Sequence, residues 1–351
     1  MNFIVQSFPN KIYFGEGQLK KINDIINELG STRLFIVAGN RNISIVNELI
    51  KSFGEKNVCH FSRIVQHVPK IIADEALTLA KENQSDFIIA IGGGSAIGLA
   101  KAVALQNRLR ILAVPTTYAG SEMTNIYGIS SDGVKSVGRD MIVLPACVIY
   151  DPSMTLEMPL PLASTSSMNA MAHLIEALYA YDGNPVTYQI SLMGIKFLKQ
   201  GMEQLISERS LKNANSALQF GSYLAGKALC EVSMALHHKL AHVLGGSFNL
   251  DHSKTHTVLL PYVLRFQVNG LSASLINDLQ TVLNDSRPSY KLQSLAEQMK
   301  APISLKAIGF HEEDIPKVVR LMATMNYPNP VPVTEKLIEE LLKMAYEGRL
   351  Y

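Results

Sequence analysis

IAIGGGSAIGLAKAVAL, residues 89–105, joins a short apolar run to a helix-forming segment through three consecutive glycines. The turn consists of Gly92, Gly93, Gly94 and Ser95. Glycines after a buried strand let the backbone approach a phosphate, and the N–H groups at the start of a helix attract negative charge. Tight strand-to-helix turns also use glycine for steric reasons alone, so this turn leaves both interpretations open. The spacing differs from G-x-G-x-x-G, so a standard Rossmann fingerprint is not predicted.

The same alternation of apolar runs and amphipathic segments extends through the first 150 residues. The apolar runs are 33–39, 86–93, 110–117 and 146–152, and helical spacing is seen over 44–56 and 71–84. Nearly continuous apolar runs are typical of parallel strands that are buried on both faces. We therefore predict an α/β N-terminal nucleotide-binding domain with a doubly wound sheet. Residues 127–140, with Asp132-Gly133 between alternating runs, predict a hairpin before the last strand.

After residue 152 the pattern changes to successive helical segments that continue to the C-terminal end. We predict an α/β dinucleotide-binding domain over 1–155 and an all-helical substrate and catalytic domain over 156–351. Ser164 or Thr165 is the predicted cap of the first of these helices. Gly245-Gly246 is the predicted end of the helix that begins near His238, and the next segment is predicted to start as a loop.

Composition excludes several classes of protein. The chain has 351 residues, 47% hydrophobic and 18% charged, with a formal net charge of +2. This charge gives no global field for nucleic acid or an anionic membrane, and no apolar run is long enough to span a bilayer. Three widely spaced cysteines match neither a disulfide framework nor a zinc cluster. Together with an N-terminal stretch that lacks a secretory apolar region, they predict a cytoplasmic protein.

A second polar turn follows the next apolar run, in VPTTYAGSEMT, residues 114–124. Its candidate cofactor-binding residues are Thr116, Thr117, Tyr118 and Ser121. Two small-residue turns at the carboxyl ends of two strands form the crevice in which an open α/β sheet binds a nucleotide. This second turn favours nucleotide binding over the purely steric interpretation of the glycines.

Five of the nine histidines lie within twenty positions: His237, His238, His242, His252 and His256. Asn169 and His173 are four residues apart, a spacing that places both on one helix face. A single histidine in an apolar helix is usually a core residue, but six on such segments favour a shared cavity. Histidine suits both metal binding and proton transfer, and Asn169 stands where a carboxylate would complete a metal site. The residues permit a metal without indicating one, and the exposure of His237 and the packing of His256 stay open.

Together these motifs resemble a known family. GGGSAIGLAK, PTTYAGSEMT, MNAMAHLIEALYA and ALHHKLAHVLGGSFNLDHSKTHTVLLP are similar to the iron-containing alcohol dehydrogenase superfamily, and the similarity covers nearly the whole chain. NYPNPVPVT, residues 326–334, resembles the maleylacetate reductase branch more narrowly. The resemblance implies an α/β domain followed by an all-α domain, as in dehydroquinate synthase, and a homodimer.

The resemblance also bears on metal and cofactor. In the superfamily an Asp and three His bind iron or zinc, and the matching positions here are Asn169, His173, His238 and His252. Asn169, together with Gly98 where an Asp is frequent, favours the reductase branch, so no metal is expected. NADH or NADPH is the implied cofactor. An NAD-specific site usually has an acidic residue after an early strand, whereas Gly39 and Asn40 stand there, so both dinucleotides should bind.

The implied reaction is reduction of the carbon–carbon double bond of maleylacetate, a small dicarboxylate, to 3-oxoadipate in aromatic-compound catabolism. The expected catalytic residues are His173, His238, His242, His252 and Tyr327, with His242 or His252 as proton donor. Asn169 and Arg139 are the expected substrate-binding residues, and partly protonated imidazoles would suit two carboxylates. Tyr327 could instead only pack in its Pro-rich turn, and Arg139 could pair with Asp140 or another acid.

Three other interpretations stay open from the sequence. An iron- or zinc-dependent alcohol dehydrogenase would use the same fold. A lyase resembling dehydroquinate synthase would use NAD only transiently, and its phosphate-bearing substrate would require more Lys and Arg than the histidine block offers. A non-catalytic redox sensor would not require convergent histidines.

Overall fold

Buried apolar strands form a parallel sheet at the centre of the N-terminal part. The computed structural model describes Phe3, Val5, Ser7, Phe8 and residues 10–131 and 134–351, without the side chains of 134 and 135. The strands are β1 Lys11–Phe14, β2 Leu34–Ala38, β3 Val58–Phe61, β4 Phe87–Gly92, β5 Arg110–Pro115, β6 Ile126–Ser131, β7 Val134–Arg139 and β8 Cys147–Tyr150. The main sheet has the order β1-β8-β5-β4-β2-β3, with all neighbouring pairs parallel. The four predicted strands are confirmed.

Alternate residues of the central strands pack into two apolar cores on opposite faces of the sheet. Ile88 and Ala90 belong to one core, whereas Phe87 and Ile89 belong to the other. The helices that accompany the sheet are α1 Ile22–Glu28, α2 Ile43–Phe53, α3 Lys70–Glu82 and α4 Gly94–Asn107. Residues of α3 and α4 pack in the first core, and those of α1 and α2 pack in the second. Burial on both faces confirms the predicted doubly wound α/β arrangement.

The order of the strands creates a switch point. From β2 the chain adds β3 on one side, and then returns to add β4 on the other side of β2. In the register, Ala38 lies opposite Ile91, and Gly92 lies opposite Pro115. The carboxyl ends of β2, β4 and β5 therefore meet at one edge of the sheet, which is where such sheets bind ligands.

The predicted hairpin is present as the antiparallel pair β6 and β7. Its predicted turn, Asp132-Gly133, lies outside the described residues. Ser130 of β6 holds the loop before α3, because its backbone N–H donates to Val68 O at 3.0 Å and its hydroxyl donates to His67 O at 2.8 Å. His67 and Val68 both have a left-handed backbone, with φ of 63° and 50°. Such a conformation is strained for a β-branched valine.

The C-terminal part is helical, as predicted. Its helices are α5 Leu160–Leu178, α6 Pro185–Glu208, α7 Asn215–Glu231, α8 Leu236–Phe248, α9 His252–Gln267, α10 Ala273–Leu283, α11 Pro288–Gln298, α12 Ile315–Ala323 and α13 Glu335–Glu347. The chain divides into two compact units, one of Ser7–Met158 (the sheet unit) and one that contains Pro159–Tyr351 (the helical unit). Which function belongs to 1–155 and to 156–351 stays a prediction.

The predicted helix ends need correction in three places. Helix α5 begins at Leu160, and Ser164 and Thr165 lie inside it, where their hydroxyls donate to Leu160 O and Pro161 O. Helix α8 runs through both glycines to Phe248. Helix α9 begins at His252 itself, where the residue before it caps the helix by accepting from Lys254 N at 2.9 Å. A proline in the first turn and a carboxylate cap explain the two starts.

Two pairs of facing residues bring α6 and α7 unusually close. A Cβ on Gly201 would lie 2.6 Å from Leu218 Cγ, and one on Gly221 would lie 2.6 Å from Leu198 Cγ. Helix α5 is covered on every side, since all its residues from Ala163 to Leu178 are buried. None of the helices in the described part of the chain is both long and apolar enough to cross a membrane.

Candidate active site

In the glycine turn at the end of β4, two glycines are required by close packing and the third is not. A Cβ on Gly92 would lie 2.7 Å from Ala96 Cβ, and one on Gly93 would lie 2.9 Å from Thr117 Cγ2. Packing therefore requires both glycines. A Cβ on Gly94 would instead find its nearest atom, Ala119 Cβ, at an ordinary 3.7 Å. Packing does not explain Gly94, which stands at the start of α4 where no side chain caps the helix. The open helix start fits the phosphates of a dinucleotide.

The other predicted cofactor-binding residues follow the two neighbouring strands. Gly39 and Asn40 come directly after β2, and Thr116, Thr117 and Ser121 follow β5 with half-exposed side chains. The Tyr118 side chain is fully buried, and this burial raises the pKa of its hydroxyl above the usual range. Cofactor binding by Tyr118 stays a prediction, and the burial of its side chain favours its backbone for that contact.

A buried lysine holds the second turn in place. Lys101 of α4 is 0% exposed, and its ammonium donates to Ser121 O and Thr124 O at 2.7 Å and to Ile126 O at 2.9 Å. Sequence reasoning missed Lys101, although a lone lysine in the apolar stretch AIGLAKAVAL was a signal. The amine compensates for its burial by bonding to several acceptors.

A buried carboxyl group lies in the same segment. Glu122 is 0% exposed and accepts a hydrogen bond from Tyr150 Oη at 2.7 Å. Burial raises the pKa of Glu122 to about 7, while the tyrosine hydrogen bond and the charge of Lys101 oppose that rise. The segment that carries Ser121 is therefore fixed by polar groups inside the sheet unit.

Six histidines from three helices converge in the helical unit. Helix α5 supplies His173, α8 supplies His237, His238 and His242, and α9 supplies His252 and His256. His256 lies at the centre, since its ring centroid is 4.3 Å from that of His252, 4.8 Å from that of His238 and 4.9 Å from that of His237. We call these six residues the histidine cluster. The predicted convergence is therefore present, and His237 and His256 also belong to it.

A chain of hydrogen bonds runs through the cluster from α5 to α8 and back. His173 Nδ1 and His238 Nε2 are 2.6 Å apart and form a hydrogen bond. His238 Nδ1 is bonded in turn to a carboxylate oxygen of Glu176. His237 Nε2 and His256 Nδ1 form a second pair at 2.8 Å. Among the described residues, His237 Nδ1 and His256 Nε2 have no hydrogen-bond partner.

Burial favours the neutral form of three inner histidines, so partial protonation of the cluster stays a prediction for its other members. Burial, followed by repulsion from His173 and His242, lowers the pKa of His237 to about 3. Burial, followed by repulsion from the other imidazoles, holds the pKa of His238 and His256 well below the usual range. Desolvation penalises the charged form, and several cations would repel one another at these distances. Any protonated member must therefore be sought elsewhere in the cluster.

His242 and His252 are the accessible members. His242 is exposed and His252 is half-buried, and their ring centroids are 6.4 Å apart with nearly parallel planes. His252 also contacts the central His256. These two residues therefore connect the buried part of the cluster to its surface.

Glu176 is a residue of this site that sequence reasoning missed. It is 1% exposed and accepts hydrogen bonds from the backbone N–H groups of His237 at 2.8 Å and His238 at 3.3 Å. Burial raises its pKa to about 7, and those backbone hydrogen bonds oppose the rise. The available signal was spacing, since Asn169, His173 and Glu176 share one face of α5 at intervals of four and three.

Two further predicted residues lie in the helical unit. Asn169 is 2% exposed, and its Oδ1 atom has no hydrogen-bond partner among the described residues. Tyr327 packs against the apolar core formed by α8, α9, α12 and α13, and burial, followed by the charge of Glu176, raises its pKa. Asn329 fixes the segment of Tyr327 by accepting from Leu236 N at 3.3 Å and by exchanging two hydrogen bonds with Gln267.

Arg139 belongs to the other unit. It lies exposed at the end of β7 and donates to Asn125 Oδ1 at 3.3 Å. The carboxylate of Asp140 accepts from Ile142 N at 2.9 Å and so caps the following turn. A role for Arg139 in binding substrate stays a prediction.

The arrangement does not fit the metal that the fold family implies. Two ligand atoms of a tetrahedral zinc ion, each about 2.0–2.1 Å from the metal, are roughly 3.3 Å apart. His173 Nδ1 and His238 Nε2 are only 2.6 Å apart and bond to each other. Asn169 adds a neutral amide where a carboxylate would balance the charge. In the part of the chain that the structure describes, no group of three or more His, Cys, Asp or Glu side chains is arranged to hold a metal ion.

A glycine turn at the switch point of one unit and a histidine cluster in the other define the class. The chain belongs to the iron-containing alcohol dehydrogenase family, and it is an oxidoreductase. The family model "Iron-containing alcohol dehydrogenase" matches residues 9–152, and "Fe-containing alcohol dehydrogenase family, C-terminal" matches residues 163–346.

The similar proteins include maleylacetate reductases that match over their whole length. The maleylacetate reductase of Pseudomonas sp. (strain P51) is 40% identical, with 99% of each chain covered. The crystal structure of maleylacetate reductase from Agrobacterium tumefaciens has a TM-score of 0.93 and 32% identity, again with 99% of each chain covered. That of the enzyme from Rhizobium sp. strain MTP-10005 has a TM-score of 0.93 and 34% identity, with the same coverage.

Proposed function

We propose that the protein reduces the carbon–carbon double bond of maleylacetate to give 3-oxoadipate, with NADH or NADPH as reductant and without a catalytic metal. The whole-length similarity to maleylacetate reductases supports the substrate. The observation that carries the proposal is Asn169, which is buried on α5 one turn before His173, where a metal site would need a carboxylate. A neutral amide there also avoids repulsion of a dianionic substrate.

The dinucleotide is proposed to bind at the edge of the sheet where β2, β4 and β5 end. The start of α4 at Gly93, Gly94 and Ser95 would hold the phosphates, and Thr116, Thr117 and Ser121 would add hydrogen bonds. No acidic residue stands at Gly39-Asn40 to repel a 2′-phosphate, which supports use of both dinucleotides. When it is bound, the reduced nicotinamide supplies the hydride.

The helical unit is proposed to bind the dicarboxylate and to supply the proton. Hydride addition at the carbon β to the ketone leaves negative charge on the ketone oxygen, and protonation of the adjacent carbon completes the reaction. The His237–His256 pair uses only one of its two ring N–H groups in its mutual hydrogen bond, so the other can donate to a carboxylate or to that oxygen. The proton donor is proposed to be His242 or His252, because the inner histidines resist protonation. Tyr327 is proposed as a further hydrogen-bond donor.

The direct test is NADH oxidation, followed optically, with maleylacetate as substrate. Simple alcohols and aldehydes, with the appropriate form of the nucleotide, are the comparison. We expect turnover with maleylacetate and little with alcohols. Turnover with alcohols alone would contradict the proposal and would favour an iron- or zinc-dependent alcohol dehydrogenase on the same fold.

Two variants test the proposed proton donors. His242→Ala and His252→Ala should lower kcat by roughly 100-fold, the usual contribution of a general acid, while NADH binding changes little. His311→Ala removes an exposed histidine of the same unit and serves as the matched control. Unchanged kcat in both cluster variants would remove these residues from the mechanism.

The metal-free part of the proposal has its own test. Protein purified without added metal should retain its kcat after chelation, and elemental analysis should find no stoichiometric iron or zinc. Loss of turnover on chelation, restored by one of these ions, would contradict a metal-free reaction.

A homodimer in the cytoplasm is the proposed state of the enzyme. The described cysteines Cys59, Cys147 and Cys230 form no disulfide, which is usual in a reducing compartment. Light scattering during size-exclusion chromatography should give a mass of twice the 38.6 kDa chain. A monomeric mass would contradict the dimer and leave the proposed reaction untouched.

A further inference from the structure

Glu176 joins the start of α8 to two members of the histidine cluster. Its two oxygens accept hydrogen bonds from the backbone of His237 and His238, and one oxygen also bonds to His238 Nδ1. It is 1% exposed, so water does not compete for these contacts. A buried ionised carboxylate can only accept hydrogen bonds, and here each of its partners is a nitrogen.

The carboxylate determines the direction of the hydrogen bonds beyond it. Because the carboxylate accepts, His238 must carry a proton on Nδ1, and a neutral His238 then has a lone pair on Nε2. His173 Nδ1, which lies 2.6 Å from that lone pair, must donate to it. His173 consequently carries its proton on Nδ1, and its Nε2 is the accepting nitrogen. One buried charge thus fixes the tautomers of two rings.

We propose that Glu176 is the positioning residue of the histidine cluster: it fixes which ring nitrogens of His238 and His173 carry protons. The consequence for catalysis rests on the proposed reductase function, whereas the proton arrangement does not. Glu176 touches neither substrate nor cofactor in this assignment, and it acts through His238 and His173.

A second buried carboxylate provides a matched control. Glu231, near the end of α7, has a side chain that is 4% exposed, and it is bonded to Lys227 Nζ at 2.6 Å and Thr187 Oγ1 at 3.1 Å. Glu176 and Glu231 are therefore both buried on helices of the helical unit, but Glu231 bonds to no histidine in these contacts. Loss of a buried carboxylate in general can thus be separated from loss of the Glu176 contacts.

Glu176→Gln is the decisive variant, because it keeps the shape and replaces one accepting oxygen by a donating NH2 group. The amide oxygen can still accept from His237 N, the shorter backbone contact at 2.8 Å. The NH2 group then lies against His238 Nδ1, and His238 N loses its acceptor at 3.3 Å. His238 must then accept at Nδ1 and donate from Nε2, so both tautomers invert. Long-range ¹H–¹⁵N spectra at pH 8 of protein labelled with ring-¹⁵N histidine report these tautomers, with His173→Asn and His238→Asn for assignment.

The kinetic expectation follows from the inverted tautomers. Glu176→Gln should lower kcat by roughly 10- to 100-fold, the usual effect of losing the partner that orients a functional histidine. The KM for NADH should stay within about 3-fold, because the dinucleotide is not involved in these contacts. Glu176→Asp, which keeps the charge, should retain the wild-type tautomers and recover part of kcat. Glu231→Gln should change neither the tautomers nor kcat.

Three outcomes would overturn the proposal: unchanged tautomers in Glu176→Gln, unchanged kcat in that variant, or an equal loss of kcat in Glu231→Gln. If Glu176→Gln does not fold, the wild-type spectrum decides. Protons on His238 Nδ1 and His173 Nδ1 support the proposal, and a proton on His238 Nε2 overturns it. If the wild-type protein fails to reduce maleylacetate, the proposed function fails, while the spectra still test the proton arrangement.

Discussion

Val68 and Gly98 meet so closely that neither residue is independent of the other. A Cβ on Gly98 would lie 3.0 Å from Val68 Cγ2. Val68 cannot easily retreat, because its backbone is left-handed and its carbonyl is held by Ser130 N. Gly98, inside α4, therefore accommodates the strained loop before α3.

The first prediction concerns this contact. In a helix, Gly→Ala normally stabilises by about 1 kcal/mol. Gly98→Ala should instead lower the free energy of unfolding by about 1 kcal/mol, because the added methyl group crowds Val68. Gly246→Ala is the control, since nothing lies within 4 Å of its Cβ. Urea unfolding should show a higher free energy of unfolding for Gly246→Ala and a lower one for Gly98→Ala. Higher stability in both variants would show that Val68 moves aside easily. Adding Val68→Ala to Gly98→Ala should restore the lost stability, because it removes the crowded methyl groups.

Helix packing gives a second prediction. Gly221→Ala should destabilise the protein by about 3 kcal/mol, the upper range for overpacking, because the new Cβ would lie 2.6 Å from Leu198 Cγ and 3.0 Å from Leu198 N. Backbone atoms at that distance cannot move aside as a flexible side chain would. Chemical denaturation measures the loss, with Gly246→Ala again as the control. Wild-type stability in Gly221→Ala would contradict the close approach of α6 and α7.

The buried amine of Lys101 gives a third prediction. Lys101→Met should lower the free energy of unfolding by roughly 3 kcal/mol, because the carbonyls of Ser121, Thr124 and Ile126 lose their donor inside the protein. The loosened turn should also raise the NADH dissociation constant by about 10-fold, if that turn binds the dinucleotide as proposed. Fluorescence titration measures the constant. Lys81→Met, at an exposed lysine of α3, should change neither quantity.

Acid should destabilise the protein in two stages. His237, His238 and His256 resist protonation when folded, but their unfolded forms take up protons as the pH falls through 6.5. Glu122 and Glu176 act oppositely between about 7 and 4.5, because the folded carboxyls bind protons first. Three histidines against two carboxyls leave about one extra proton on the unfolded state, so stability falls by about 1.4 kcal/mol per pH unit.

Below pH 4.5 the two carboxyls are protonated in both states, so the histidines alone determine the slope and the loss becomes steeper. Urea unfolding at pH values from 8 to 4 measures both stages. His311→Gln, which changes an exposed histidine, should leave the profile unchanged. Constant stability between pH 6.5 and 4.5 would contradict the neutral state of the buried histidines.

Sequence patterns predicted the parts of the fold that depend on local chemistry. The four long apolar runs became strands because burial on both faces requires continuous apolar residues. The short strands β1 and β3 were not predicted, since most of their residues are only half-buried and give no clear period. The start of α5 was misplaced because Ser164 and Thr165 resemble caps, whereas their hydroxyls bond inside the helix.

The sequence predicted which histidines belong to the site better than it predicted their protonation. Spacing placed His173, His238, His242 and His252 on helices that could share a cavity. Spacing also puts Glu176 on the face of α5 that carries His173, but it could not show the contact with His238, which joins residues 62 positions apart. Nor could it give the neutral state of His237, because a pKa depends on burial and on neighbours that only the folded chain brings together.

Helix α5 carries Asn169, His173 and Glu176, and it is enclosed on every side over Ala163–Leu178. A side chain on such a helix cannot be exchanged without disturbing a neighbour, so few substitutions should be tolerated at these three positions. His242 and His252 lie nearer the surface, where replacements cost less folding stability even if they alter the reaction. Divergence toward other substrates within this scaffold should therefore begin on α8 and at the start of α9, with α5 as the unvarying part.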